Sequence, residues 1–197
     1  MKRYGIYLGA ALPFIPVSAS AHLVSSGLGP VYDGIYHFVL SPEQFLPIMA
    51  LALFAGRRGP IFARWVLFVV PLAWAAASFV GAYPWAGLEQ LLVAVSFLLA
   101  GGLLAADWKL SPPLVVVVAV ALGLCCGAAY RMSAEPDPPG YLAMVGGAGS
   151  IFVLLALTAS AALPLRRMWT VVAIRVAGSW TAAIGLLLVG WWVHGHG

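Results

Sequence analysis

The sequence predicts an all-α membrane protein, a bundle of six transmembrane helices behind an N-terminal signal peptide. Three observations carry that expectation. Of 197 residues, 63% are hydrophobic and only 8% charged, well outside the proportions of soluble domains. Apolar runs recur at close to the ~20 residues that cross a ~30 Å hydrocarbon core as helix, and none alternates as a lipid-facing barrel strand must. The charges, finally, fall between the runs. A formal charge of +4 would suggest nucleic acid for a soluble protein; here topology accounts for it, and no nucleic-acid partner is expected.

Met1 to Ala21 reads as a basic start (Lys2, Arg3), a short apolar stretch broken by Pro13 and Pro16, and the cleavage pattern Ala19-Ser20-Ala21. Cleavage there leaves His22 as the mature N-terminus; the alternative is an uncleaved anchor. Residues 22–197 then form one transmembrane domain, with runs at about 42–56, 62–82, 86–106, 112–130, 141–163 and 170–193.

Arg57, Arg58 and Arg64 lie between the first and second runs, Lys109 between the third and fourth, and Arg166 with Arg167 between the fifth and sixth. Arg131 alone falls on the other side. Basic loops mark the cytoplasmic side, which predicts both mature termini outside. Asp33, Glu43, Glu89, Glu135 and Asp137 then belong to the outer face, as do His22, His37, His194 and His196; only Asp107 is inner. Cys125 and Cys126 sit near the outer end of the fourth run. Carboxylate, imidazole and thiol crowded at one face attract cations, transition metals above all. The plainer alternative is that acids collect outside because basic residues are held inside.

Neighbouring helical residues point about 100° apart, so Cys125 and Cys126 are not expected to pair. Gly123 and Gly127, with Gly146 and Ser150 at the same spacing, predict close packing of the fourth and fifth spans. Pro47 and Pro71 predict kinks that free carbonyls. Trp65, Trp85, Trp108, Trp191 and Trp192 stand where interfacial belts form. Arg175 is expected to snorkel to the inner interface and pair with Asp107.

Polarity inside a lipid-soluble protein is costly, and it gathers in His22 to Gln44. A helix over 32–40 would place Asp33 and His37 at i and i+4, where a carboxylate orients an imidazole for metal or proton work; a simple interfacial hydrogen bond is the alternative. Ser41, Pro42 and Gln44 read as N-cap, N1 and N3 of a capping box opening the first span, with Glu43 favoured by the helix dipole. A free His22 offers an amine and an imidazole on one residue. The tail residues His194 and His196 could add ligands, although such glycine-rich tails are more often loose. Glu89 either caps the third span or lines a path with Glu43.

These residues resemble the HupE/UreJ family of small bacterial membrane proteins. Its members have a cleaved leader, histidine near the mature N-terminus, about six spans, and a signature H-P-x-x-G-x-D-H entering the first span. Here Ala19-Ser20-Ala21 precedes His22, and His37-Phe-Val-Leu-Ser-Pro-Glu43-Gln44 occupies the signature, followed by Leu46 and Met49. Glu89 stands where the family tends to carry an acid, and Arg175-Val-Ala-Gly178 also matches in style. Glu43 replaces the family's aspartate, Gln44 its second histidine, and Cys125-Cys126 its histidine-rich fourth span. The resemblance implies a nickel or divalent-cation permease linked to hydrogenase and urease maturation. The softer thiol ligands point either to copper or to a lost nickel site.

The resulting expectation is a permease or facilitator for a divalent transition metal ion (nickel, cobalt or copper), captured by His22, Asp33, His37 and Glu43, with Glu89 and Cys126 along the path. The alternative is a non-transporting membrane subunit or assembly factor holding a metal or a partner protein at the outer face. An enzyme is not expected, since metal-dependent hydrolysis wants three protein ligands and an open water position. The expected partners are the bilayer, the ion and a membrane or periplasmic protein, with no organic cofactor.

Overall fold

The computed structural model describes residues 27–80, 88–133 and 140–196. The leader and its cleavage pattern, His22, Trp85, Glu135 and Asp137 lie outside the described residues. Within them the chain forms seven helices and no strand: α1 (Pro30–Leu40), α2 (Pro42–Arg58), α3 (Pro60–Phe79), α4 (Leu88–Ala106), α5 (Pro112–Ser133), α6 (Tyr141–Ala162) and α7 (Met168–His196). Four of them open on proline, whose missing N–H has no intrahelical partner to lose at that position.

Helices α3 to α7 are each long and apolar enough to cross a membrane. Helices α1 and α2 pass the same test only together, and they are bent by 74° at their junction. An all-α membrane bundle is therefore the fold, with five candidate spans among the described residues, or six where α1 and α2 count together as one bent span. The bend has a local cause. Pro42 disfavours helical geometry at the residue before it, and Ser41 is accordingly extended, at φ −98° and ψ 90°.

Helix α2 is the axis of the bundle and touches every other described helix. Ile48, Leu51, Ala52 and Ala55 on it are fully buried. Around this axis α4 packs on α7, α3 on α5, and α1 on α6. Small residues set these approaches. A β-carbon on Gly34 of α1 would overlap the Ala143 backbone of α6, and one on Gly146 of α6 would overlap Val31 of α1.

Two sequence expectations are corrected here. Helices α5 and α6, the fourth and fifth spans, make no contact with each other. Gly123 and Gly127 instead receive α3 at Val70, Ala73 and Trp74. A small-residue face shows where backbones approach but not which helix arrives, and here the α3 main chain at Val70 and Trp74 comes too close for a β-carbon. Asp107, likewise, does not pair with Arg175. It accepts from Arg58 at 2.9 Å and lies 3.5 Å from Arg57. Arg58 also donates to the carbonyls of Asp107 and Trp108, and its guanidinium lies 5.1 Å from the Phe54 ring centroid. Asp107 has a left-handed φ of 53°, which turns the chain off α4 toward α2. Arg175 meets α4 before that turn, and its Nε donates to the Ala105 carbonyl at 2.8 Å.

Candidate functional site

Opposite this arginine-rich end lies the corner between α1 and α2. The last turn of α1 carries His37 and the first turn of α2 carries Glu43 and Gln44. Ser41 occupies the N-cap position with Pro42 after it, but its side chain makes no capping hydrogen bond. The expected capping box does not form. The Ser41 N–H that Gln44 would have satisfied already donates to the Phe38 carbonyl at 3.3 Å. Gln44 is 2% exposed, and its Oε1 accepts from Trp74 Nε1 at 3.2 Å. A buried indole N–H needs an acceptor, and here that need takes the amide inward.

Pro47, one turn into α2, has no N–H to give the Glu43 carbonyl, which loses its intrahelical partner. The corner therefore offers main-chain oxygen as well as side chains. Glu43 itself is exposed. Its carboxylate lies within Coulombic reach of His37 on α1, Glu89 on α4 and Cys126 on α5. Glu43 and Glu89 put two carboxylates at this end of the bundle, and carboxylates gathered at one face attract cations.

Of the six side chains singled out from sequence, four thus converge on this end. Asp33 is half-buried one turn before His37 and has interactions of its own, while the carboxylate whose charge reaches His37 is Glu43. His22 lies outside the described residues. Among the described residues no three His, Cys, Asp or Glu side chains stand close enough to hold one ion together. The arrangement is a spaced series of donors rather than a closed cage.

Each donor is held differently. The His37 ring packs against Tyr130 of α5, with centroids 4.9 Å apart, and its Nε2 is buried without a hydrogen-bond partner. The Cys126 thiol is buried and lies 3.6 Å from the Ser96 hydroxyl of α4, which donates in turn to the Leu92 carbonyl at 2.8 Å. Cys125 and Cys126 are both free thiols. Glu89 stands in the first turn of α4 and, with Gln90, Val93, Leu188 and Trp191, lines a cleft of about 280 Å³ between α4 and α7.

Trp74, Tyr130 and Ser96 were not legible as site residues. Aromatic and hydroxyl side chains within apolar runs are ordinary core. The available signal was the position of Trp74 in mid-run, away from the interfaces that tryptophan favours.

A sequence profile of the HupE / UreJ protein family matches residues 10–188. The chain belongs to the HupE / UreJ family. The match takes in all of α1 to α6 and most of α7. The HupE / UreJ family is associated with nickel or cobalt transport, or with accessory roles in metal handling. Neither a curated protein nor a solved structure matches the chain. In this HupE / UreJ protein the amide of Gln44 is committed to Trp74, so the donors left at the corner are His37, Glu43 and the main-chain oxygen that Pro47 frees.

Proposed function

We propose that this protein is an inner-membrane permease or facilitator for a divalent transition metal ion (nickel, cobalt or copper), and that it captures the ion at the periplasmic face. The observation carrying this reading is the gathering, at one end of the bundle, of Glu43 in the first turn of α2, His37 in the last turn of α1, Glu89 in the first turn of α4 and Cys126 toward the end of α5, on helices that all pack on α2. Each of these residues comes from a different helix. The bend between α1 and α2 adds support, because the carbonyls exposed at helix ends and breaks coordinate cations in transporters. The cargo would meet Glu43 first, as the exposed carboxylate, and pass to the half-buried His37. Glu89 and Cys126 lie deeper or alongside, and a free His22 and Asp33 would add donors at the mouth.

The test is uptake of nickel, cobalt and copper into cells and proteoliposomes. His37→Ala and Glu43→Ala should each reduce uptake at least severalfold, while leaving the protein folded and inserted. Wild-type rates in both variants would remove the reading.

A second reading is favoured by one observation. Donors spread so that, among the described residues, no three share an ion suit a non-transporting subunit or assembly factor that presents a metal to a partner protein. Stoichiometric co-purification of such a partner, with no ion flux in the isolated protein, would decide for it.

A further inference from the structure

The aromatic chain behind His37 is built with more constraint than core filling needs. Trp74 is 1% exposed. Its Nε1 is tied to Gln44 of α2 at 3.2 Å. Gly127 of α5 lies against its backbone, and a β-carbon on Gly147 of α6 would come within 2.8 Å of its indole. Helices α2, α5 and α6 thus close on this one residue of α3. Tyr130 stacks on it with centroids 4.8 Å apart, tilted by 37°. His37 also packs on Tyr130, with centroids 4.9 Å apart and rings tilted by 59°, and is the least buried of the three. The imidazole is thus the outermost of three rings whose innermost member is locked. Its Nε2 is buried with no hydrogen-bond partner, and buried polar atoms of native proteins are rarely left so.

We propose that Gln44, Trp74 and Tyr130 are positioning residues for His37, holding its ring so that Nε2 stays unpaired and oriented for a divalent transition metal ion. The proposal rests on the reading that the ion is captured at this end of the bundle. The physical basis is preorganisation. An imidazole free to rotate about its side-chain bonds must lose that freedom when it binds, and a ring already held has less to lose. Packing against Tyr130 also restrains the ring flip that would put carbon Cε1 where Nε2 stands. With the described donors spaced so that no three of them close on one ion, the orientation of each single donor weighs more. Outer groups that orient a histidine ligand act in this way at metal sites.

The experiment uses the full chain in lipid nanodiscs, with Ni²⁺ as the probe, and has two readouts. The first is metal-free. The ring protons of His37 in wild type should show an upfield ring-current shift, kept in Tyr130→Phe and lost in Tyr130→Leu. The second is Ni²⁺ affinity. Tyr130→Phe should stay within about twofold of wild type, and Tyr130→Leu should weaken binding by roughly tenfold. An unshifted His37 signal in wild type, or Tyr130→Leu binding as tightly as wild type when His37→Ala does not bind, overturns the positioning role alone. Equal binding by His37→Ala and wild type instead overturns the capture reading, while the ring-current result still reports the stack. Gln44→Met, which frees the indole from α2, is the second variant should Tyr130→Leu not fold. It should weaken Ni²⁺ binding and reduce the His37 shift, and no change in either would refute the relay.

Discussion

Gly34→Ala tests the seating of α1 on α6, and with it the placement of His37. A β-carbon there would stand 2.7 Å from the Ala143 carbonyl carbon and 2.9 Å from its Cα. These are main-chain atoms and have no rotamer to yield with, so α1 has to move outward. Overpacking of that kind costs about 1–3 kcal/mol, against about 1 kcal/mol gained when alanine replaces a helix glycine. Gly149→Ala on α6 is the control, since nothing stands within 4 Å of a β-carbon at that position. It carries the propensity gain without the clash, which leaves a difference of about 1–3 kcal/mol between the two variants. For a chain of this size that places the Gly34→Ala midpoint roughly 2–12 °C below that of Gly149→Ala. Thermal unfolding in one detergent, followed by circular dichroism, measures it. Coincident melting curves would refute the described α1–α6 contact, and with it the account of how His37 reaches Tyr130.

Two other outcomes follow from the packing. Asp107→Asn leaves Arg57 and Arg58, each with a side chain 15% exposed, without their carboxylate, and should destabilise by about 1–3 kcal/mol; a wild-type melting curve would show that the pairs contribute nothing. Cys126 is 2% exposed and Cys125 only half-buried, so a small maleimide should modify the folded protein at Cys125 alone and both thiols after denaturation. Peptide mass mapping reads this, and prompt labelling of Cys126 in the folded state would contradict the packing against Ser96.

Much of the helical layout could be read from the chain because proline, glycine and charge punctuate it. Pro42, Pro60 and Pro112 each sit at the first position of a helix, and the apolar runs between such breaks are too long for strands. The pairing of helices was not legible in the same way. Every span offers lipid or a neighbour an equally apolar surface, so Gly123 and Gly127 announce a close approach without naming α3. At the candidate site, His37, Glu43, Glu89 and Cys126 stood out because polarity is rare and costly in such a sequence. Gln44 misled because its spacing from Ser41 suits a capping box, while the competing demand of the Trp74 indole comes from a residue 30 positions away. Arg175 and Asp107 misled for a similar reason, since the left-handed turn at Asp107 is set by the meeting of α2 with the end of α4.

The partner of α1 is α6 and the partner of α4 is α7, which bears on how the molecule is made. During synthesis α1 must wait for some hundred residues before its seat exists, and the glycine face of α4 stays bare until the last helix is inserted. Late-closing contacts of this kind slow folding. A ribosome paused between α6 and α7 would therefore hold a half-built bundle with Gly101 open to lipid, a state in which an insertase or a neighbouring copy has the longest opportunity to intervene.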